Sequence, residues 1–273
     1  MLIAYKIFLV DMRRFFFANM NGLKPVVRCG VVIFGFALVS GCRESPGSKI
    51  AELRAMARRP GAAQVRRIES AFSDPDRDVR ATALTLLAGI DPDRGRDLAL
   101  RALDDPDGIV RSAAVRVLTG RPETAPLERL TSMATLDSAW QVRTAALEGL
   151  TQAELDTVRP VFEQATVDSH REVRHAALVG GVARPGLISA VTAAKVLAED
   201  TDWENRILAV EILGASGDAA AYAPLDEAAL DPHEFVRAAA TRARQALGRS
   251  GVPRPTPPPA SPAPDTTKRP PGV

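Results

Sequence analysis

The densest run of reactive side chains in this 273-residue sequence is Asp168-Ser-His-Arg-Glu-Val-Arg174-His175. Carboxylate, imidazole and guanidinium side by side are the inventory of general acid–base catalysis. A second candidate is His233-Glu234, which begins the metal-binding helix pattern H-E-x-x-H. The fifth position is Arg237, so the second ligand is missing and no zinc face forms. His170 and His175 are five residues apart and do not share a helical face. The sequence has no glycine-rich phosphate loop, and its two cysteines are Cys29 and Cys42. These spacings point to no catalytic residue, no metal and no cofactor.

The run at Asp168 is one of six copies. The acid recurs as Asp74, Asp105, Asp137, Asp168, Asp200 and Asp231, and an arginine follows six positions later as Arg80, Arg111, Arg143, Arg174, Arg206 and Arg237. The step is 31 or 32 residues throughout, which is the signature of a repeat array. A catalytic pair belongs to one place in a chain. A pair copied six times is structural.

Counting from each Asp as zero, position +5 is Val79, Val110, Val142, Val173, Asn205 and Val236, and position +9 is alanine in every copy. Apolar residues at +5, +8, +9 and +12 form one helical stripe. Position −3 is alanine except at Leu197, so a first helix precedes each Asp and small residues let the two helices approach closely. Proline after Asp74, Asp105 and Asp231 discourages helix through the acid. Asp76, Asp107 and Asp202 are N-cap residues for the second helices, and Gly89, Gly120, Gly214 and Gly248 are expected at their C-terminal ends. Gly149, Gly180 and Gly181 fall earlier and are expected to shorten or weaken the third and fourth second helices.

The turn Asp, the Arg six positions on and the alanine-rich second helix together resemble HEAT repeats, in particular the short type named after phycobilisome lyases. The resemblance covers about 190 residues. It implies an all-α, right-handed solenoid of six helix pairs, with the second helices on the concave face and the twelve Asp and Arg residues forming a ladder between repeats. Asn205 departs from that pattern at a core position, and Arg244 departs at +13, so the sixth unit reads as a solvated C-terminal cap.

Residues 1–41 read as an export signal. Lys24 and Arg28 precede the apolar run 30–39, which is short for a membrane span, and Val39-Ser-Gly-Cys42 resembles the lipobox of bacterial lipoproteins. That resemblance implies lipidation at Cys42; an uncleaved N-terminal anchor is the alternative. Met20 would start a signal of ordinary length. Residues 42–61 hold the attachment site, a polar tether over 43–47 and a capping helix from Ile50 to Arg58; 62–250 hold the repeats; 251–273 form a proline-rich tail expected to be disordered and dispensable for stability. Of 35 Lys and Arg against 33 Asp and Glu, five and one lie in residues 1–41, so the remainder is slightly acidic and carries no broad nucleic-acid footprint.

Function is then sought where the copies differ. Position +3 is Arg77, Gly108, Trp140, Arg171, Trp203 and Glu234, and position +7 includes His175 and Ile207. Trp140, Arg171, His175, Trp203 and Ile207 are either a partner-binding patch across repeats three to five or residues by which each turn packs on the next repeat. Phe235 and Tyr222 are read as packing residues. The expected function is a lipid-anchored, non-enzymatic scaffold in the bacterial envelope, binding protein or peptide along the concave face and favouring the periplasmic side of the outer membrane. The alternative from the resemblance is a lyase-like or chromophore-binding protein.

Overall fold

The computed structural model describes residues 44–121 and 125–255. The expected export signal with Cys42, and the tail from 256 onward, lie outside the described residues. All regular structure among the described residues is helical, and none of these helices is long and apolar enough to cross a membrane. The helices are α1 (Pro46–Ala57), α2 (Ala62–Ser70), α3 (Arg77–Ile90), α4 (Pro92–Ala102), α5 (Gly108–Thr119), α6 (Leu127–Leu136), α7 (Trp140–Leu150), α8 (Leu155–Ala165), α9 (Arg171–Ala183), α10 (Ala190–Glu199), α11 (Trp203–Ala215), α12 (Tyr222–Ala228) and α13 (Glu234–Arg249).

Each even-numbered helix from α2 to α12 packs against the odd-numbered helix that follows it, and α3, α5, α7, α9, α11 and α13 pack on one another in succession. This is an α-solenoid of six helix pairs. The first helices meet along α6–α8 and α10–α12. The closeness of the second helices follows from their sequence, since all six alanines at +9 are fully buried. Position +10 is buried as Leu84, Val115, Leu147, Leu178 and Val210 but exposed as Thr241. That column therefore faces the following repeat, and the last unit has a polar residue where no repeat follows.

All six second helices begin at +3. Asp76, Asp107 and Asp202 accept from backbone N–H groups of the first turn, as their types predict. In the other three units the N-cap residue is Ala139, His170 or His233 and its side chain makes no capping bond. The capping helix starts earlier than expected. Pro46 is its first residue, with Ser45 Oγ accepting from the Ser48 N–H, so part of the anticipated tether is helical.

Gly89, Gly214 and Gly248 are the last residue but one of α3, α11 and α13, and Gly120 follows α5, so all four stand near the helix ends as expected, though none takes the left-handed cap conformation. Among the described residues the left-handed glycines are Gly186, at φ 89°, Gly217, at φ 67°, and Gly251, at φ 81°, the last two directly after a helix C-cap. Gly180 and Gly181 correct the sequence reading: they do not shorten α9, which runs 13 residues. A Cβ on Gly180 would lie 2.5 Å from Phe162 Cε1, and one on Gly181 2.8 Å from Ile188 Cδ1. They are sites of close helix approach.

The chain does not leave the array at Gly251. Tyr222 Oη donates to the Val252 carbonyl at 3.1 Å, Val252 packs partly buried on the core, and Arg254 pairs with Asp226. Deletion of residues 251–273 is therefore expected to lower the thermal midpoint, losing on the order of 1–2 kcal/mol for the partly buried valine. Deletion from 256 leaves these contacts in place. Differential scanning calorimetry on the two truncations checks this.

Candidate functional site

The six Asp–Arg copies form a ladder across five joints. Arg80, Arg111, Arg143, Arg174 and Arg206 each donate through Nε and Nη2 to both carboxylate oxygens of the next repeat's acid, Asp105, Asp137, Asp168, Asp200 and Asp231, at 2.7–3.0 Å. Each arginine also donates through Nη1 to the carbonyl of its own repeat's acid. Each of the six acids also accepts the N–H of the residue two places on, which shapes the turn. One guanidinium thus ties two turns together with planar, bidentate geometry that lysine could not reproduce. Arg237, in the last repeat, keeps only the bonds to its own turn, at Asp231 and Pro232.

Burial works against the charge on Asp105, Asp168, Asp200 and Asp231. The arginine hydrogen bond and the backbone N–H outweigh it, and the four carboxyls are held below their ordinary value. A folded pKa below the unfolded one means stability that is whole above about pH 5 and is lost as pH falls from about 3.9 through the lower folded values. Denaturant midpoints measured from pH 6 to pH 2 should fall steeply only at the acid end. Removing one ladder acid should reduce the steepness.

A second set of contacts runs beside the ladder. The residue at +3 of each repeat meets the residue at +2 of the next. Arg77 reaches Asp107 at 3.4 Å. Gly108 sits against Ala139, so close that a Cβ would lie 2.4 Å from the alanine's Cβ. Trp140 stacks on His170 with centroids 4.6 Å apart and planes 11° apart. Arg171 pairs with Asp202 and also with Glu204. Trp203 stacks on His233 at 4.2 Å and 8°. Ionic, small and stacked pairs each match in type. The signal lay in the sequence, because the +2 column, moved by one repeat, complements the +3 column. It takes the joint geometry to know which columns to compare.

This pairing is testable by exchange. Trp203→Arg and His233→Asp together recreate the Arg171–Asp202 combination. In a double-mutant cycle the pair should be about 0.5–1 kcal/mol more stable than the sum of the single changes. Additive energies from urea unfolding would show that the columns do not read each other.

The five residues singled out by sequence do not surround one cavity. Trp140, Arg171 and Trp203 are engaged with the next repeat, and Ile207 packs partly buried on the core. Two surface grooves, of about 410 and 290 Å³, are lined instead by Pro75–Arg77 with Asp107, and by Val167, Lys195 and Glu199 among others. Phe235 differs from its sequence reading: it is 54% exposed and tilts against Trp203 at 5.8 Å. Among the described residues there is no group of three or more His, Cys, Asp and Glu placed to hold a metal ion.

His175 is the one candidate tied to a buried polar network. Asn205 is fully buried where the other repeats have valine. Its Nδ2 donates to Asp200 Oδ2 at 3.0 Å, which leaves its Oδ1 to accept from His175 Nδ1 at 3.2 Å. Ionised Asp200 can only accept, so the amide orientation and the Nδ1–H of His175 follow from the chemistry. His175, Asn205, Asp200 and Arg174 therefore form one hydrogen-bonded chain across the joint between repeats four and five.

Among solved structures, the chain is similar to an engineered protein at 14% identity, covering 68% of this chain and 96% of that one with a TM-score of 0.46. It is similar to human deoxyhypusine hydroxylase in complex with glycerol at 18% identity, over 76% and 82% of the two chains, with a TM-score of 0.41. It is also similar to the complex of CpcE and CpcF of phycocyanin lyase from Nostoc sp. PCC7120, at 22% identity over 77% and 90%, with a TM-score of 0.39. No curated protein sequence matches. A family model for HEAT repeats matches residues 65–151 and 158–245, which span all six Asp–Arg turns. With this period, these helix pairs and this ladder, the chain belongs to the HEAT-repeat family.

Proposed function

We propose that this protein is a non-catalytic binding scaffold, tethered to a bacterial membrane by lipid on Cys42, that holds a protein or peptide segment along its second helices. The observation that carries the reading is the column at +11: Thr85, Arg116, Glu148, Val179, Glu211 and Arg242 are all exposed. At its centre Val179 is 44% exposed, with Val182 one turn further along α9 also open to solvent. Glu148 and Glu211 flank Val179 in the neighbouring repeats. An apolar residue between two acids fits an extended partner with an apolar side chain between basic ones. The second helices touch at every step, which supports placing them on the inner side of the curve.

Two arms test the proposal in cells carrying the full chain. An alkyne fatty acid should label the wild type and not Cys42→Ala, and the variant should leave the membrane fraction. Equal labelling of both chains, or of neither, would overturn the anchor. Proximity labelling should then identify partners whose capture falls for Val179→Asp. An unchanged partner set for that exposed substitution would overturn the second-helix surface.

A further inference from the structure

The two columns that join neighbouring repeats run on into the last repeat, where no further repeat meets them. Arg237 is held as the other ladder arginines are. Its Nη1 donates to the Asp231 carbonyl at 2.8 Å, against 2.8–3.1 Å for the same bond in the five earlier repeats. That bond orients the guanidinium and leaves its Nε–Nη2 edge turned away from its own turn. In the five earlier repeats this edge holds a carboxylate. In the sixth, among the described residues, it holds none, and Arg237 is exposed. Five occupied copies of one geometry identify the sixth as a carboxylate site.

The +3 column adds a second requirement. Where a +3 residue is charged, the +2 residue it meets has the opposite sign, as with Arg77 on Asp107 and Arg171 on Asp202. In the last repeat the +3 residue is Glu234, which is exposed. Through the same joint geometry, a turn docked here carries an acid at zero and a base at +2. The middle of this end offers no apolar core. Position +13 is buried as Leu87, Leu118, Leu150 and Leu213 but is Arg244 here, paired with Asp226, and position +10 is exposed Thr241. Recognition at this end therefore rests on the turn edge. We propose that Arg237 and Glu234 form a docking site for a turn of sequence Asp-x-Lys or Asp-x-Arg on a different protein. No +2 residue of this chain's own six turns is lysine or arginine. The first repeat, whose turn a second copy would present from its opposite end, would set Asp76 against Glu234. Like charges brought together in this way reject the partner.

The turn of the third repeat supplies a probe with a single acid. A peptide of residues 134–139 carrying Ala139→Lys, blocked at both ends, presents Asp137 at zero and a base at +2. Passed over full-length protein in detergent on a plasmon-resonance surface, it should bind saturably in the millimolar range. Asp137→Asn in the peptide should weaken binding about tenfold, as loss of a hydrogen-bonded charge does. The same peptide with Ala139→Asp instead should also bind more weakly. Glu234→Lys protein should reverse the ranking of the lysine and aspartate peptides, and Arg237→Gln protein should bind neither. Glu234 is exposed, so its substitution leaves the fold in place, which far-UV circular dichroism checks. Equal binding of the lysine peptide and its Asp137→Asn form, or the same ranking on wild type and Glu234→Lys, would overturn the proposal. So would oligomers in sedimentation velocity that Arg237→Gln abolishes, which would assign the site to a second copy.

Discussion

Replacing Asp200 with alanine should cost about 3–5 kcal/mol, more than any other change at a single ladder position. Its side chain is 3% exposed and accepts four hydrogen bonds from three residues. It accepts both bonds from Arg174, one from Asn205 Nδ2 and one from the Asp202 N–H. Removing it leaves Arg174 without its bidentate partner in a largely buried joint, and Asn205 with a buried donor unsatisfied. The other ladder acids lack the asparagine bond, because their repeats have valine at +5. Repeat arrays are stabilised chiefly by contacts between neighbours, so weakening one joint should also divide the unfolding transition. Trp140 lies before that joint and Trp203 after it. Urea unfolding of Asp200→Ala, followed by tryptophan fluorescence in Trp140→Phe and Trp203→Phe backgrounds, should give two separate midpoints. A single shared midpoint shifted by less than about 1 kcal/mol would show that the joint is not held this way.

Gly95→Ala and Gly89→Ala should have opposite signs although both sit inside helices. Helix propensity alone favours alanine by about 1 kcal/mol at each. Gly89 on α3 has nothing within 4 Å of an added Cβ, so its substitution should stabilise by about 0.4–1 kcal/mol. Gly95 on α4 is buried against α3, and a Cβ there would lie 2.2 Å from Ala88 Cα and 2.7 Å from its backbone nitrogen. Backbone atoms cannot rotate aside as a side chain can, so the two helices must separate. Overpacking of this kind costs about 1–3 kcal/mol, which overcomes the propensity gain. Thermal melts of the two variants check the sign directly. A stabilised Gly95→Ala protein would mean that α3 and α4 are not in this contact.

Much of the architecture was legible because the chain repeats itself. A period of 31 or 32 residues, an alanine at every +9 and an Arg six residues after every Asp determine the helix pairs and which columns are buried. Each repeat has to bury the same face against its neighbour, so the same residue types recur at the same places. The array's N-caps at Asp76, Asp107 and Asp202 were legible for a related reason: capping is local and depends on residues two or three apart.

What the linear pattern left open are contacts whose partners lie about 30 residues away. The tryptophans stood out by rarity and by their shared position. Their partners, His170 and His233, are in other repeats, in a column that only the joint geometry sets beside the tryptophans. Asn205 could be read only as a departure until Asp200 and His175 were seen on either side of its amide. A glycine reads the same in sequence whether it ends a helix or admits a neighbouring one, and only the distance to Ala88 or Phe162 separates the two roles. Sequence alone determined the repeat, its core columns and its membership of the helical-repeat class, since these follow from periodic burial. The tertiary structure decided which side chains meet across each joint, because helix-to-helix register and approach distance are set by packing in three dimensions.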